Sequence, residues 1–398
     1  MDGPTLEFLV SDAGLALLSE VEAAYDDHRA LELGSRLREQ YAAAHVAAAL
    51  TQVELRRRAT AKFGADAARM FFTRDGLEQA TSAAVSRHRA ARAGAAGHRS
   101  VLDLCCGVGA DLQAFARVGM SVTGIDRDPL TVAVAAANIS ALGLAGQVSL
   151  GSAEEQARDR HDLSFADPAR RSSAGRRFDA RTYSPPWSFV EKLLAGTSVV
   201  KVAPGIPHSL VPTGVEAEWV SLDGRLKEAT LWSALADGVG RRATLLRARS
   251  AEGDDGSETA ATLTDADDPG ASDVARVGRF VYEPDNAVIR AHLVTAVAAE
   301  LDGWLLDSHL AYVSTDRRRP TAFARGYAVL DVLPFKEKQL RAALRARGVG
   351  PLAIKKRGVA VTPEVLRRRL GLRGNNPATV IITRTPSSAI ALLVEPLT

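Results

Sequence analysis

A glycine-containing stretch holds the residues whose types and spacing best suit chemistry. Asp103, Cys105, Gly107 and Gly109 lie in VLDLCCGVGAD, an apolar run that leads into a helical stretch, LQAFARV. Glycine lets the backbone turn sharply and approach a ligand, while the next helix N-terminus offers unpaired N–H groups. A second apolar run ends in Asp126, 19 residues after Gly107, where a carboxylate can bind both hydroxyls of an adenosine ribose. The pattern predicts a turn that binds a nucleoside.

Details of this glycine-rich turn distinguish between the classes of protein that contain such a turn. Dinucleotide-binding enzymes favour GxGxxG, whereas the order here is CxGxGxD, without a third glycine at the helix contact. Asp103 precedes the turn, where an acid would repel a pyrophosphate but would suit the ammonium group of a methionine moiety. A third acid, Asp167, ends the run DLSFAD and is followed by Pro168. These features favour a methionine-containing nucleoside.

In this order, the glycine-rich motif, the ribose acid and the acid-proline motif resemble those of class I S-adenosylmethionine (SAM) methyltransferases. DLCCGVGAD resembles the D-x-x-CGVG loop of the RNA cap guanine-N2 (trimethylguanosine synthase) family and of related RNA-base methyltransferases. The stretch FFTRDGLEQAT, residues 71–81, is similar to the segment that these enzymes place over the cofactor. The resemblance covers about residues 70–245 and implies SAM as cofactor, bound by Asp103, Cys105, Gly107, Gly109, Asp126 and Thr73.

The expected acceptor site departs from the pattern of that family. Its amino-group methyltransferases usually carry Asp/Asn-Pro-Pro and an aromatic residue, whereas residues 167–171 read DPARR. We assign Asp167 and Pro168 as catalytic, with Asp167 orienting the acceptor nitrogen or accepting its proton, while a helix-capping role for Asp167 stays open. The later SPPW, residues 184–187, resembles the missing motif but follows a basic loop.

Several side chains are candidates for holding the acceptor. A planar group can stack on an extruded base, and Arg170, Trp187, Tyr183 and Phe72 are the candidates for this role. Lys201 begins KVAP, which is similar to the turn after the fifth strand of these enzymes, and we expect it at the rim of the active site. Of these, Arg170, Trp187 and Lys201 are predicted to bind the substrate.

The positions of the cysteines and histidines restrict the acceptor atom and the bound metals that the sequence allows. Methylation at C5 of a pyrimidine requires a thiolate that adds to the ring, but Cys105 and Cys106 both lie within the cofactor turn. A nitrogen or oxygen acceptor is therefore favoured over carbon. Adjacent cysteines are also poorly placed for a disulfide or a CxxC zinc site, and the eight histidines form no HxH or HExxH pair. We expect no bound metal.

The length of 398 residues leaves room for two or three domains of about 150 residues each. Residues 1–63, with apolar positions at helical spacing, predict a helical N-terminal domain. In residues 64–265 short apolar runs alternate with helical stretches, which predicts an α/β, Rossmann-like methyltransferase sheet. Residues 275–398 predict an α+β domain with helices near 286–301, 336–347 and 362–370. This layout is similar to bacterial methyltransferases with a THUMP-like C-terminal domain.

Charge is distributed unevenly along the chain. Residues 250–273 hold eight acids and no base, which predicts a solvated loop or linker, whereas residues 340–373 hold ten bases and one acid. Such a basic segment favours RNA, and it contains the substrate-binding candidates Lys355, Lys356 and Arg357. The alternative is a solvated helix that turns Arg367, Arg368 and Arg369 outward.

The sequence thus predicts a SAM-dependent methyltransferase that acts on a base nitrogen in structured RNA, either tRNA or rRNA. Two alternatives stay open: a non-catalytic RNA-binding or assembly factor, and a methyltransferase for a protein or small molecule. Asp2 and Glu7 lie where a signal peptide would carry positive charge, and no apolar run reaches about 20 residues. We therefore expect a cytoplasmic protein without a membrane partner.

Overall fold

The computed structural model describes residues 1–26, 28–170, 179–233, 235, 238–247 and 259–397, without the side chains of Arg170 and Thr259. Arg171 of DPARR and residues 248–258 of the acidic segment lie outside the described residues. The chain forms two compact units. The first comprises Met1–Glu216 and Ala229–Gly238, and the second comprises Ala217–Glu228 and Val239–Thr398.

Six helices open the first unit: α1 Gly3–Val10, α2 Asp12–Ala24, α3 Ala30–Leu37, α4 Ala43–Phe63, α5 Arg74–Gln79 and α6 Ala83–Ala95. Asp2 and Ser11 cap the first two by accepting bonds from Thr5 N and Gly14 N, which satisfies amides at each helix start. Apolar side chains of α1, α2 and α4 form a cluster that also contains Phe71, Val108 and Val134. The helices therefore pack on the part of this unit that carries the glycine-rich turn.

A parallel sheet with helical crossovers follows. The elements in this part of the chain are β1 Ser100–Asp103, α7 Ala110–Arg117, β2 Ser121–Asp126, α8 Pro129–Ala141, β3 Gln147–Leu150, β4 Leu163–Ala166, β5 Ala169–Arg170, β6 Tyr183–Ser184, α9 Trp187–Leu194, β7 Ser198–Val202, β8 Glu216–Leu222 and β9 Arg225–Trp232. In the first unit the order is β9-β7-β4-β1-β2-β3, parallel except for β9. Strands β5 and β6 form a separate antiparallel pair.

The central strands are buried on both faces, as expected for parallel strands between helices. Val101, Leu163, Phe165 and Val199 lie in one core cluster. The strand order reverses direction between β1 and β4, and ligands of open parallel sheets bind at the carboxyl ends of the strands at such a point. Ligand-binding residues are therefore expected directly after β1, β2 and β4.

The second unit contains β8 and the beginning of β9, followed by further strands and helices. They are β10 Arg241–Arg247, β11 Thr259–Thr264, β12 Phe280–Pro284, α10 Asn286–Arg290, α11 Val294–Glu300, β13 Trp304–Asp307, β14 Leu310–Thr315, β15 Ala324–Pro334, α12 Glu337–Ala346, β16 Val349–Lys356, α13 Pro363–Leu370, β17 Asn376–Arg384 and β18 Ala389–Pro396. Seven strands form one sheet in the order β13-β14-β12-β15-β18-β17-β16, while β11, β10 and β8 are neighbours in that order.

The fold class is confirmed in its architecture: N-terminal helices, a Rossmann-like α/β sheet and a C-terminal part with its own sheet. Two local predictions are wrong. The helix expected over 286–301 is two helices, because His292 between them has a φ of 56°, in the left-handed region that an α-helix cannot continue through. Part of the segment 250–273 is not a loop, since β11 pairs antiparallel with β10.

Candidate functional site

Three acidic residues meet at one edge of the first unit's sheet. Asp103 ends β1, Asp126 ends β2 and Asp167 follows β4, and these strands are adjacent and parallel. Parallel strands end at the same edge, so the side chains after them lie close together. Asp103 is fully buried, Asp126 is half-buried, and the Asp167 side chain is 32% exposed.

Backbone amides tie the Asp126 carboxylate to the glycine-rich turn. Gly107 N donates to Oδ2 at 3.1 Å, and Asp128 N donates to Oδ1 at 3.0 Å. Gly107 has a φ of 56°, and a Cβ built there would meet no atom within 4 Å. Gly109, with a φ of 83°, forms the N-cap of α7. The turn therefore presents a bare backbone to open space at the start of a helix.

Asp103 lies beneath the turn with one carboxylate oxygen unmatched. Cys105 N donates to Oδ1 at 3.4 Å, while Oδ2 is buried and no described residue donates to it. Burial raises the pKa of Asp103 to about 8, against the lowering effect of the Cys105 N–H, and the charges of Asp167 and Asp126 raise it further. A buried oxygen without a donor, beside two more acids, suits a cationic ligand group.

Residues 71–81, which precede the sheet and form the covering segment, pack over this turn. The Asn138 side chain accepts from Phe71 N at 2.7 Å and donates to Val108 O at 2.9 Å, so it joins the segment to the turn. A Cβ on Gly76 would come within 2.6 Å of the Val108 side chain, so only glycine allows this close approach. Thr73 accepts from Gly76 N at 3.0 Å and caps α5. The structure thus places Thr73 within the covering segment.

Lys201 joins Asp167 to the covering segment. Its Nζ donates to Asp167 Oδ2 at 2.6 Å and to Thr81 Oγ1 at 2.9 Å. Sequence reasoning named Lys201 and Asp167 separately and missed Thr81, although Thr81 ends the FFTRDGLEQAT stretch. The described element after Asp167 is β5, a strand, so a helix-capping role is not what the structure shows.

The segment after Asp167 and Pro168 lies beside the SPPW stretch. Ala169 pairs with Ser184 across β5 and β6, and the Tyr183 ring lies 5.4 Å from that of Trp187 at the start of α9. Tyr183 Oη also accepts from Ala203 N at 3.0 Å, which fixes this segment to the residues after β7. The two proline motifs, separated in sequence, are therefore neighbours. Arg170 contributes its described backbone to β5.

Phe72 does not have the place that the sequence predicted for it. Its side chain is fully buried, and its ring lies 5.6 Å from that of Phe63 within the helical core. The expectation that Phe72 stacks on an acceptor is wrong, because apolar packing with α4 takes its ring away from the surface.

The two cysteines are held as thiols. Burial raises the pKa of Cys105 and of Cys106, and the nearby charge of Asp103 raises both further. A thiol must lose its proton before it can attack an acceptor base. The turn therefore offers no thiolate for covalent catalysis at neutral pH.

Three consecutive basic residues of the second unit, Lys355, Lys356 and Arg357, lie in two different environments. Lys355 Nζ lies 2.6 Å from Glu283 Oε2, and Arg357 Nη2 lies 3.9 Å from Glu283 Oε1. Lys356, between them on β16, is exposed. The helix α13 buries Leu366 and Leu370 and exposes its three successive arginines. Lys356 is therefore the exposed residue of the three, while Lys355 and Arg357 lie beside Glu283.

Comparisons with known proteins identify the family. A methyltransferase domain family matches residues 101–167, a THUMP domain-like family matches 324–396, and a domain family of unknown function matches 2–59. Two Mycobacterium tuberculosis proteins, from strains CDC 1551/Oshkosh and ATCC 25618/H37Rv, are named uncharacterized S-adenosylmethionine-dependent methyltransferases. Each is 37% identical over 348 residues, covering 85% of this chain and 92% of the relative. The chain belongs to this family of SAM-dependent methyltransferases.

A solved structure shares the fold of this methyltransferase along nearly its whole length. The chain from Porphyromonas gingivalis W83, assigned as a methyltransferase, has a TM-score of 0.71 at 21% identity, covering 93% of this chain and 98% of that chain. The expected class I SAM methyltransferase with a THUMP-like domain is confirmed. Among the described residues no group of three or more His, Cys, Asp or Glu side chains could hold a metal ion. None of the described helices is both long and apolar enough to span a bilayer.

The cofactor of this methyltransferase is SAM, and the sheet edge fits it. The unmatched Oδ2 of Asp103 suits the ammonium group of the cofactor. The open space beside Gly107 allows a ligand to touch the backbone, and Asp126 has acceptor capacity left after its two amide bonds. Asp103 therefore suits the amino-acid end of SAM, and Asp126 suits its ribose. Gly107 leaves room for the cofactor to approach the backbone.

Proposed function

We propose that this methyltransferase modifies a base nitrogen in structured RNA, either tRNA or rRNA, and that Asp167 orients the acceptor nitrogen. The observation that carries the proposal is the position of Asp167, at the cofactor edge, partly exposed, with its carboxylate bound by Lys201. An ionised carboxylate accepts hydrogen bonds from an amine and can take its proton. The THUMP-like domain and the basic segment 340–373 favour RNA as the carrier of that amine.

We assign the cofactor contacts to Asp103, Gly107, Gly109 and Asp126, with Cys105 and Thr73 in the turn and in the segment over it. When bound, SAM supplies a methyl group that is open to direct displacement by the acceptor nitrogen. The protein then has to align the acceptor and stabilise the shifting charge. The covering segment, held by Asn138 and by the contact of Gly76 with Val108, helps to exclude water from this edge.

On the acceptor side, Lys201 has two tasks in the proposed reaction. Its ammonium group pairs with the Asp167 carboxylate, and its bond to Thr81 holds both residues in one orientation. Oδ2 of Asp167 binds Lys201, so Oδ1 is assigned to the acceptor amine. Pro168 restricts the backbone directly after the acid. Trp187 and Arg170 are proposed to hold the base, in place of the aromatic residue that DPARR lacks.

The nature of the acceptor atom follows from what the site offers. Protonated thiols cannot supply the covalent step of carbon methylation, so an exocyclic amine is favoured. This agrees with the resemblance to the guanine-N2 group. We assign Lys355, Lys356 and Arg357 to the RNA backbone. A non-catalytic RNA-binding role is the second candidate, favoured by Ala169 at the position of the usual second proline.

The test is transfer of radiolabelled methyl from SAM to total RNA of a strain that lacks the gene, with RNase treatment of the product. We expect RNase-sensitive label, and Asp167→Asn to reduce the rate by at least about 100-fold while the Kd for SAM stays within about twofold. Asp159→Asn changes a carboxylate on an exposed loop and should leave both quantities unchanged.

Three outcomes contradict parts of the proposal. Full turnover by Asp167→Asn would refute the assigned role of that residue. RNase-resistant label would point to an acceptor other than RNA. Binding of RNA without transfer to any tRNA or rRNA fraction would favour the non-catalytic candidate.

A further inference from the structure

The second compact unit contains a cavity of its own, and two of the residues assigned to the RNA backbone, Lys355 and Arg357, line it. Its volume is about 940 Å³, at the upper end of the range for small-ligand sites. Its walls come from the turn between β8 and β9, the end of β10, β12, residues 318–326 and the end of β16. The cavity therefore has room for a ligand of nucleotide size, far larger than a simple ion.

Cationic side chains dominate the lining. The described residues there include three acids, Asp223, Glu283 and Asp285, and six bases. The bases are Arg247, Arg318, Arg319, Arg325, Lys355 and Arg357. Five of the six are arginines, whose planar, always charged guanidinium group binds phosphate in a bidentate manner. The formal charge of the lining thus favours an anion.

Glu283 and Asp285, both in the lining, are engaged by the protein. Glu283 accepts from Lys355 Nζ at 2.6 Å and has Arg357 within 3.9 Å. Asp285 caps α10 by accepting from Ala287 N at 2.8 Å, and it also accepts a hydrogen bond from Ser221 Oγ. Lys355 offsets the charge of Glu283, whereas the donors to Asp285 are neutral. Bases still outnumber acids in the described lining.

Arg357 has an unmet donor at this cavity. Its Nε is buried and has no hydrogen-bond partner among the described residues, and its guanidinium group lies 5.7 Å from the centre of the Tyr312 ring. A buried donor without an acceptor is costly, so a site with such a donor gains from a ligand oxygen. This observation points to an acceptor-rich ligand, independently of the overall charge.

The arginine-bearing wall is held in place by hydrogen bonds. Tyr282 Oη donates to Arg319 O at 2.8 Å and accepts from Arg319 N at 2.9 Å. Asp285 N donates to Phe323 O at 2.8 Å, further along the same loop. A wall fixed in this way loses little conformational entropy when a ligand binds. The backbone of this wall is therefore preorganised.

We propose that this cavity is a second ligand site, which binds phosphate groups of a nucleotide-sized ligand through Arg357, Arg325 and Arg318. The phosphate belongs to a free nucleotide or to the RNA that the proposed function assigns. The chemistry of recognition is the same in both cases. The proposal does not depend on methyl transfer.

The experiment uses the full-length protein with saturating S-adenosylhomocysteine, so that nucleotides cannot occupy the cofactor edge. Binding of ATP is measured by calorimetry, and binding of a fluorescent 5′-phosphorylated octaribonucleotide by anisotropy, both at about 150 mM salt. Arg325→Gln changes an exposed side chain of the lining, and Arg357→Gln removes the buried donor. Each should weaken binding of the recognised probe by about tenfold or more.

The matched control is Lys338→Gln, which removes one positive charge from an exposed position on α12, outside the cavity lining. It should bind as the unmodified protein does. Since Arg357→Gln carries a risk of misfolding, Arg325→Gln and a circular dichroism melt keep the test decisive.

The two probes distinguish the sources of phosphate. Binding of ATP that weakens in both cavity variants assigns the site to a free nucleotide. Binding of the octaribonucleotide alone, with the same weakening, assigns it to RNA. Absence of binding by both probes, or unchanged binding in both variants, overturns the proposal. Phosphate binding without RNA methylation would instead contradict only the proposed function.

Discussion

The three carboxylates at the sheet edge are the same chemical group in three different surroundings. Asp126 accepts two backbone amides, Asp167 binds the ammonium group of Lys201, and Asp103 keeps a buried oxygen without a donor. Burial sets Asp103 apart, since it raises its pKa to about 8. One edge thus combines a hydrogen-bonded acid, an ion-paired acid and an acid that is protonated near neutral pH without a ligand.

The raised pKa of Asp103, about 8, predicts a pH-dependent affinity for SAM. Pairing with the ammonium group requires the ionised form, so Asp103 must release its proton when the cofactor binds. The affinity should rise with pH by at most about tenfold per unit below the pKa and level off above it. Calorimetric Kd values for S-adenosylhomocysteine across pH 6 to 9, roughly the range that brackets this pKa, check the prediction.

Two controls isolate Asp103. 5′-Methylthioadenosine lacks the ammonium group, so its affinity should not rise with pH, and Asp103→Asn should remove the rise for S-adenosylhomocysteine. Folded Asp103 also retains a proton that the unfolded chain loses above about pH 4, so the stability of the ligand-free protein falls as pH rises from there to the folded pKa. Asp103→Asn should reduce this fall in Tm. A SAM affinity that is flat with pH would refute the ammonium assignment.

At the scale of elements, the site is built by the turn between β1 and α7 and by the segment packed over it. The turn needs left-handed backbone at Gly107 and Gly109, and Asn138 on α8 fixes the covering segment to Val108. The first feature is local in sequence, whereas the second joins residues 30 and 67 positions apart. Their combination places a bare backbone under a cover at the carboxyl ends of the strands.

The prediction for the turn compares two glycines of similar backbone conformation. Gly107→Ala and Gly119→Ala each place a Cβ at positive φ, where the built Cβ meets no atom within 4 Å. Both should lower the free energy of unfolding by about 1–2 kcal/mol. Only Gly107→Ala should also weaken SAM binding, by about tenfold or more, because its methyl group enters the cofactor space. Urea denaturation and calorimetry separate the two effects.

Equal loss of SAM affinity in both variants would show that the effect is one of stability. Unchanged affinity in Gly107→Ala would remove this glycine from the cofactor site.

At the scale of the whole molecule, the small net charge of +3 conceals a basic segment at 340–373. Its helix α13 buries leucines against the sheet and turns its arginines to solvent, so the exposed charge is a consequence of packing. Lys356 and Arg368 are exposed residues of this segment, and neither forms an ion pair with another described residue.

Removal of these two charges tests the RNA assignment. Lys356→Gln with Arg368→Gln should reduce the slope of log Kd for tRNA against log salt by about 1.8, because about 0.9 counterion is released for each neutralised phosphate of a duplex. Arg36→Gln with Arg38→Gln removes the same charge from exposed positions on and just after α3 and serves as the control. Equal slopes in all three proteins would contradict RNA binding by this segment.

Strands and the cofactor turn could be predicted from the sequence because their signals are local. The run SVTGID forms β2 over the same residues, Ser121–Asp126, and Gly107 and Gly109 adopt the positive φ that their residue type allows. Apolar runs that end in an acid also located all three carboxylates. Less local features were missed: His292 broke a predicted helix, and β11 depends on pairing with β10.

The sequence by itself determined the class of protein, since hydrophobic period, glycine positions and acids at strand ends are properties of short segments. Only the tertiary structure decided which of the candidate residues meet. Lys201 reaches Thr81 across 120 positions of sequence, β5 and β6 bring SPPW beside Asp167, and packing buries Phe72. Burial likewise sets the pKa of Asp103 and leaves Arg357 with an unmet donor. Such features depend on packing between distant segments, which no short pattern specifies.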